Sequence, residues 1–425
     1  MSCTPNAITP GSTSGVPTPN ALTTPANYII MTNTAAQVPS FQVATRLQGV
    51  EEYYFSQKLK QIAALRAQGH DVLNLGIGSP DQAPSEAAVE ALARHSKIAG
   101  NHAYQSYIGL PELRRAFADW YQRYFEVTLD PDSEILPLMG SKEGILHIAM
   151  TYLEPGDEVL IPNPGYPAYR ATALLTGASA VEYDLEESSG WLPDLAALER
   201  RDLSKVKLMW LNYPQMPTGA LATPAFFEEL VAFAKRNHIL LCHDNPYSFI
   251  LNDRPLSLLS IPGAKDVALE LNSLSKSHNM AGWRVGMLAG RADCLRDVLR
   301  FKSNMDSGMF KPLQLAAVEA LSAPPAWYAA LAAEYRKRRE VVFQLLDLLQ
   351  CTYSRDQAGM FVWARIPGHY RDGYALSGEI LEKAHVFITP GGIFGSRGTD
   401  YIRVSLCSPV TAFEQAVGRI LVGHG

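Results

Sequence analysis

The chain predicts an α/β fold whose sheet is covered on both faces, and three observations carry that reading. From about residue 85 to 320, short apolar runs of β-type residues alternate with helical stretches. The 425 residues exceed what one small core organises, so two or more lobes are expected. Hydrophobic residues make up 47% and charged residues 19%, the balance of an ordinary globular protein.

The elements follow in chain order. Residues 1–36 are rich in Thr, Pro, Ala, Asn, Ser and Gly, and no charged side chain precedes Arg46. Such a composition cannot bury a core and reads as a disordered tail. It has neither the basic start of a secretory signal nor the arginines of a transit peptide. Residues 40–69 read as a helix ending near Gly69, and Val72 to Asp81 as a short strand with a turn. Strands are expected at 135–139, 157–161, 206–212, 238–243, 267–272 and 285–289. Helical stretches such as 142–153, 167–177 and 223–236 lie between them. A long helical stretch, roughly 313–350, leads into a tail of mixed strands and helices, with strand candidates at 359–365 and 401–406. The sequence shows no internal repeat.

Composition also excludes several functions. A net charge of −5 argues against a nucleic-acid partner. Cys3, Cys242, Cys294, Cys351 and Cys407 are scattered and odd in number, without a CxxC pair. A reduced compartment, the cytoplasm, fits them better than a disulfide framework or a zinc site, and no metal is expected. No apolar stretch reaches membrane-spanning length, so no membrane partner is expected. No GxGxxG or GxxxxGK(S/T) run stands in strand–helix context.

The most informative segment is Ser273-Leu-Ser-Lys-Ser-His-Asn-Met-Ala-Gly-Trp-Arg284, followed by Val285 and Gly286. It sets Lys276 among hydroxyls, with an arginine eight residues later and glycines nearby. A lysine that forms a Schiff base must lose its ammonium proton part of the time. A phosphate needs fixed donors such as serine hydroxyls and an arginine fork. Both requirements are met in this one run.

The run resembles the lysine signature of the pyridoxal-phosphate (PLP) aminotransferases of fold type I, class I/II. The similarity extends from about residue 40 to the C-terminus. It implies a large PLP-binding domain over 85–320, with a mixed, mostly parallel seven-stranded sheet flanked by helices. A smaller α/β domain would be built from 37–84 and 321–425. It also implies pyridoxal 5'-phosphate as cofactor and Lys276 as the residue that carries it.

Other residues fall into place beside that run. Asp244 ends an apolar strand, where α/β sheets place ligands. It reads either as a helix N-cap or as the partner of a cofactor's pyridine nitrogen. Tyr247 matches the family tyrosine at the cofactor's phenolic oxygen, and Asp244 lies 32 residues before Lys276. Gly140-Ser-Lys-Glu-Gly144 follows a strand and opens a helix, so the amides of Ser141 and Lys142 suit an anion. An ordinary strand-to-helix turn would look the same. Ser273, Ser275 and Arg284 would complete that cup. Tyr166, in a Pro-rich turn, matches the aromatic that stacks on the cofactor ring. Tyr104 resembles a tyrosine that reaches a neighbouring subunit's phosphate, which implies a homodimer with shared sites. Arg403, inside an apolar strand, needs a partner, and it matches the clamp on the substrate α-carboxylate. Gly78 and the loop Gly391-Gly-Ile-Phe-Gly395 suit substrate-pocket backbone, or simple turns.

One departure stands out. The family's Asn-Pro-Thr-Gly reads Met216-Pro-Thr-Gly219 here. Methionine donates no hydrogen bond, so Asn212, a water, or Tyr247 alone must serve the phenolic oxygen. The expectation is a raised pKa for the lysine–cofactor linkage relative to relatives that keep Asn.

The resemblance implies transfer of an amino group from an L-amino acid to a 2-oxo acid. The motifs are most similar to those of alanine and LL-diaminopimelate aminotransferases. No second arginine stands where dicarboxylate-specific relatives place one; the segment reads Arg300-Phe-Lys-Ser-Asn304. Lys142 either meets a distal carboxylate or faces solvent. The expected donor is small or neutral and the expected acceptor is 2-oxoglutarate. Two alternatives use the same motifs: a PLP-dependent lyase or decarboxylase, and a non-catalytic sensor on this scaffold.

Overall fold

Seven strands form the sheet that organises the site. In chain order the strands are β1 (Leu73–Asn74), β2 (Ile135–Leu138), β3 (Glu158–Asn163), β4 (Ser179–Asp184), β5 (Val206–Leu211), β6 (Leu240–Asp244), β7 (Ala268–Ser273), β8 (Gly286–Gly290), β9 (Phe361–Arg365), β10 (Val386–Phe387), β11 (Thr389–Pro390) and β12 (Tyr401–Ser405). The large sheet runs β2-β8-β7-β6-β5-β3-β4. Only β8 is antiparallel to its neighbours, β2 and β7. The other pairings are parallel, as helical crossovers require. The structure is a computed structural model and describes residues 41–50, 52 and 54–423. The tail expected over residues 1–36 lies outside them.

Apolar clusters cover both faces of this sheet, as its near-continuous hydrophobic strands demand. One is built on Leu160, Met209, Leu211, Leu241 and the helices Pro111–Phe125 and Pro224–Asn237. The other is built on Val159, Leu208, Trp210, Leu269 and the helices Ser141–Tyr152 and Pro167–Thr176. Proline at the first turn of Pro111–Phe125, Pro167–Thr176 and Pro224–Asn237 starts each helix where a backbone donor is not missed.

A second core lies around the antiparallel sheet β11-β12-β9 and includes Val362, Ile402, Val404, Phe343 and Phe413. Helices Pro325–Leu348, Gly373–Ala384 and Val410–Gly423 pack with it. The parallel pair β1-β10 ties residues 73–74 to this region.

The six strands expected in the large sheet are all present. The seventh, β4, had no clear apolar run: it is an edge strand whose Ser179 and Asp184 are exposed. The segment 40–69 is helical only over Tyr54–Ala67, after a short turn at Thr45–Leu47. Residues 41–49 are exposed and Gly49 weakens any continuation. The helix does stop before Gly69, which has φ +95°. The long helical stretch expected over 313–350 is present as two helices, Lys311–Leu321 and Pro325–Leu348. Pro324 and Pro325 cannot extend the first but suit the start of the second. The strand expected from Val72 to Asp81 pairs only over Leu73–Asn74.

Candidate active site

The carboxyl edge of the parallel strands, with the near end of antiparallel β8, collects the chemistry. Asp244 ends β6, Ser273 ends β7, and Asn212 follows β5. The chain after β2 turns through Gly140 into the helix Ser141–Tyr152, and the chain after β3 reaches Tyr166. Such an edge is where open α/β sheets bind ligands, because each strand delivers its last residue to one crevice. Here the crevice is a cavity of about 320 Å³.

Of the residues expected to form a site, Gly78, Ser141, Lys142, Tyr166, Asn212, Asp244, Tyr247, Ser273, Ser275, Lys276, Arg284 and Arg403 all line this cavity. Tyr104 does not; it is 90% exposed, on the loop after the turn Ala99–His102. Of the 391–395 loop, Phe394 lines the cavity while its glycines do not, which corrects the expectation that their backbone forms the wall.

At one end the helix Ser141–Tyr152 presents its first turn without a side-chain cap. Gly140 has φ +83°, and a side chain there would collide with the Arg284 guanidinium. Gly286 is equally constrained, since a side chain would press on the Ser141 amide at 2.9 Å. The Ser273 and Ser275 hydroxyls lie 2.8 Å apart, and Arg284 Nη1 reaches Ser275 Oγ at 3.5 Å. The amides of a helix's first turn, two hydroxyls and a guanidinium together suit an anion. Burial, then the charge of Arg284, lowers the Lys142 pKa.

Asp244 is buried, and burial pushes its pKa up to about 6. The Tyr169 hydroxyl donates to its Oδ2 at 3.1 Å, and the charges of His243 and Lys276 also oppose the rise. Its Oδ1 is buried with no hydrogen-bond partner among the described residues. An orphaned carboxylate oxygen beside an anion cup fits the protonated ring nitrogen of pyridoxal phosphate. The Tyr169 ring is itself held flat against Trp210, at 4.9 Å and 6°. The Asn212 amide donates to the Asp244 carbonyl at 2.6 Å and its oxygen accepts from Met216 N at 2.7 Å. Asn212 thereby braces backbone on both sides, and its amide carries a second N–H at the cavity wall.

Lys276 Nζ donates to the Gly78 carbonyl at 2.5 Å. Burial lowers its pKa; the Cys407 thiol and Asp244 counter this, while Arg403 and Arg284 reinforce it. Across the cavity, Arg403 Nη2 donates to the Gly76 carbonyl at 2.7 Å, and Nη1 lies 3.2 Å from the Met216 sulfur. The rings of Phe361, Phe394 and Phe55 stand 3.9, 4.7 and 5.4 Å from its guanidinium carbon. Sequence reasoning missed Tyr169, Phe55, Ile77 and Phe361; each sits in an apolar pattern that reads as core.

The fold and this cavity are those of the PLP transferases of fold type I. The family model for aminotransferase class I and II matches residues 70–420. The chain is 43% identical over 384 residues to an LL-diaminopimelate aminotransferase of Desulforudis audaxviator, covering 90% of this chain and 97% of that one. It is also similar to the substrate-bound BacF structure from Bacillus subtilis, with a TM-score of 0.87 and 36% identity over 90% of this chain and 97% of that one. A probable N-succinyldiaminopimelate aminotransferase from Thermus thermophilus gives 0.81 and 32%, over 87% and 99%. The chain belongs to the class I and II aminotransferases, PLP-dependent enzymes that move amino groups between amino acids and oxo acids. Among the described residues, no helix is long and apolar enough to cross a membrane.

Proposed function

We propose that Lys276 carries the cofactor and moves the proton in this transfer, from an L-amino acid to a 2-oxo acid, with 2-oxoglutarate as acceptor. The observation that supports this reading is the place of Lys276, lining one cavity with the anion cup, Asp244 and Arg403. The Ser141 and Lys142 amides with Ser273, Ser275 and Arg284 would hold the phosphate. Asp244 would face the ring nitrogen, Tyr247 the phenolic oxygen, and Tyr166 the ring. Pyridoxal phosphate, when bound, supplies the electron sink that lets the substrate's α-carbon give up a proton.

The chain's own residues do the rest. Arg403 grips the α-carboxylate, and its ring of phenylalanines keeps water from competing for the guanidinium. Burial lowers the Lys276 pKa, so the amine spends more time neutral and able to accept a proton from the α-carbon. Its Nζ, now on the Gly78 carbonyl, would be released when the donor's amine takes its place on the cofactor, and would then hold the proton taken from the α-carbon. Asp244 remains an anion while a cation faces it, which offsets the effect of burial.

Tyr104, exposed in this chain, reaches the phosphate cup of a second copy, so the working form is a homodimer in the cytoplasm. Sedimentation should give twice the chain mass, and Tyr104→Phe should weaken cofactor affinity without changing that mass. Lys276→Ala tests the central assignment. It should still bind cofactor through cup and Asp244 but lose turnover by at least a thousandfold; near-normal turnover refutes the role.

A further inference from the structure

We propose that Met216 sets the choice of donor: the site takes L-amino acids whose side chain is apolar and carries no distal ammonium. This rests on the α-carboxylate role given to Arg403 above. Met216 is 5% exposed and lines the cavity, so its side chain is part of the wall a substrate meets. Its position is fixed from the backbone. Met216 N donates to Asn212 Oδ1 at 2.7 Å, and the next turn is tied by Thr218 Oγ1 to Gln215 Oε1 at 2.7 Å.

The Met216 sulfur lies 3.2 Å from Arg403 Nη1. A thioether is a weak acceptor, and a carboxylate replaces it readily at a guanidinium. Binding of the substrate carboxylate would therefore free the thioether for apolar contact. The substrate's side chain begins one bond from that carboxylate. It must leave the clamp past Met216, Phe55, Ile77, Phe361 and Phe394, which all line the cavity.

Charge points the same way. Asp244 is the one carboxylate among the described residues that line the cavity. It is already committed to Tyr169 and, in the reading above, to the cofactor ring. A second ammonium on the donor would leave water with no uncommitted carboxylate to pair with among the described residues of this wall, a heavy desolvation cost. A methyl, isobutyl or phenyl group would instead lose only unfavourable hydration. The relatives named for LL-diaminopimelate act on a donor with an ammonium and a carboxylate at its far end. This chain is expected to discriminate against it.

The holoenzyme is assayed with L-leucine, L-phenylalanine and LL-diaminopimelate as donors to 2-oxoglutarate. Calorimetry of 3-phenylpropionate and 6-aminohexanoate, which carries a distal ammonium but no α-amino group, gives binding without reaction. The apolar donors should exceed LL-diaminopimelate in kcat/KM by about tenfold or more, the usual discrimination of an apolar wall. The analogues should rank the same way. Met216→Asn should shrink both ratios about tenfold, and Met216→Leu, which keeps the apolar wall, should preserve them. Preference for LL-diaminopimelate, or ratios unmoved in Met216→Asn, overturns the proposal. If no donor reacts, the role of Lys276 falls, and the ranking of the two analogues decides the present question by itself.

Discussion

Asp244→Asn should have opposite effects on the empty protein and on the cofactor-bound one. Burial raises the Asp244 pKa from 3.8 to about 6. A carboxyl whose folded pKa lies above its unfolded value stabilises the fold fully only below about pH 4. That contribution is lost as pH rises through about 6. The shift corresponds to about 3 kcal/mol against the apoprotein at pH 8, and roughly half of that at pH 5. Asparagine keeps an acceptor for Tyr169 and removes the charge, and its amide faces the cavity. Apo Asp244→Asn should therefore melt a few degrees above apo wild type at pH 8, with a smaller gap at pH 5. Adding pyridoxal phosphate should reverse the order, because the variant has no anion to meet the ring nitrogen. Differential scanning calorimetry of both forms at both pH values reads all four quantities. An apo variant less stable than wild type at pH 8, with no pH dependence, refutes the assigned environment of Asp244.

Three further outcomes follow from the same cavity. Met216→Asn restores a donor near the phenolic oxygen, so the pH midpoint of the holoenzyme's visible absorbance change should fall by about one unit; no fall means that oxygen is already served. Arg403→Lys replaces a two-pronged clamp with a point charge and should lower kcat/KM about a hundredfold for donor and acceptor alike, roughly 3 kcal/mol, in steady-state assays. Gly140→Ala forces a side chain into positive φ and against Arg284, so cofactor affinity measured by fluorescence titration should drop about tenfold while the fold, read by circular dichroism, persists.

Much of this site was legible in the sequence because its chemistry is local. Lys276 sits between serines with Arg284 close behind, and Asp244 and Tyr247 share one strand end. Ser141 and Lys142 stand just after a glycine that opens a helix. Each of these signals depends on residues a few positions apart. What escaped depends on tertiary folding. Tyr169 meets Asp244 across 75 residues of chain, and nothing local separates it from a packing tyrosine. Phe55 and Phe361 come from distant segments to join Phe394 around Arg403, and each of the two alone reads as core. Strand β4 was missed because an edge strand needs apolar residues on one side only, and Glu182 and Asp184 interrupt its pattern. The helical stretch expected over 313–350 left out the break that Pro324 and Pro325 impose.

The departure at Met216 shows how the two levels complement each other. The sequence identified a missing hydrogen-bond donor and left its replacement open. In the structure Asn212 donates one N–H to the Asp244 carbonyl and accepts from the Met216 amide, and its amide carries a second N–H at the cavity wall. The methionine sulfur faces Arg403, so the substitution bears on the substrate carboxylate as well as on the cofactor.

The most direct test of the central claim is to reduce the holoenzyme with borohydride and map the modified peptide by mass spectrometry. The cofactor should be fixed to Lys276, in the peptide that contains Ser273 and Ser275, and to no other lysine. Label on Lys142, or no label on any lysine of a cofactor-saturated enzyme, would contradict the account.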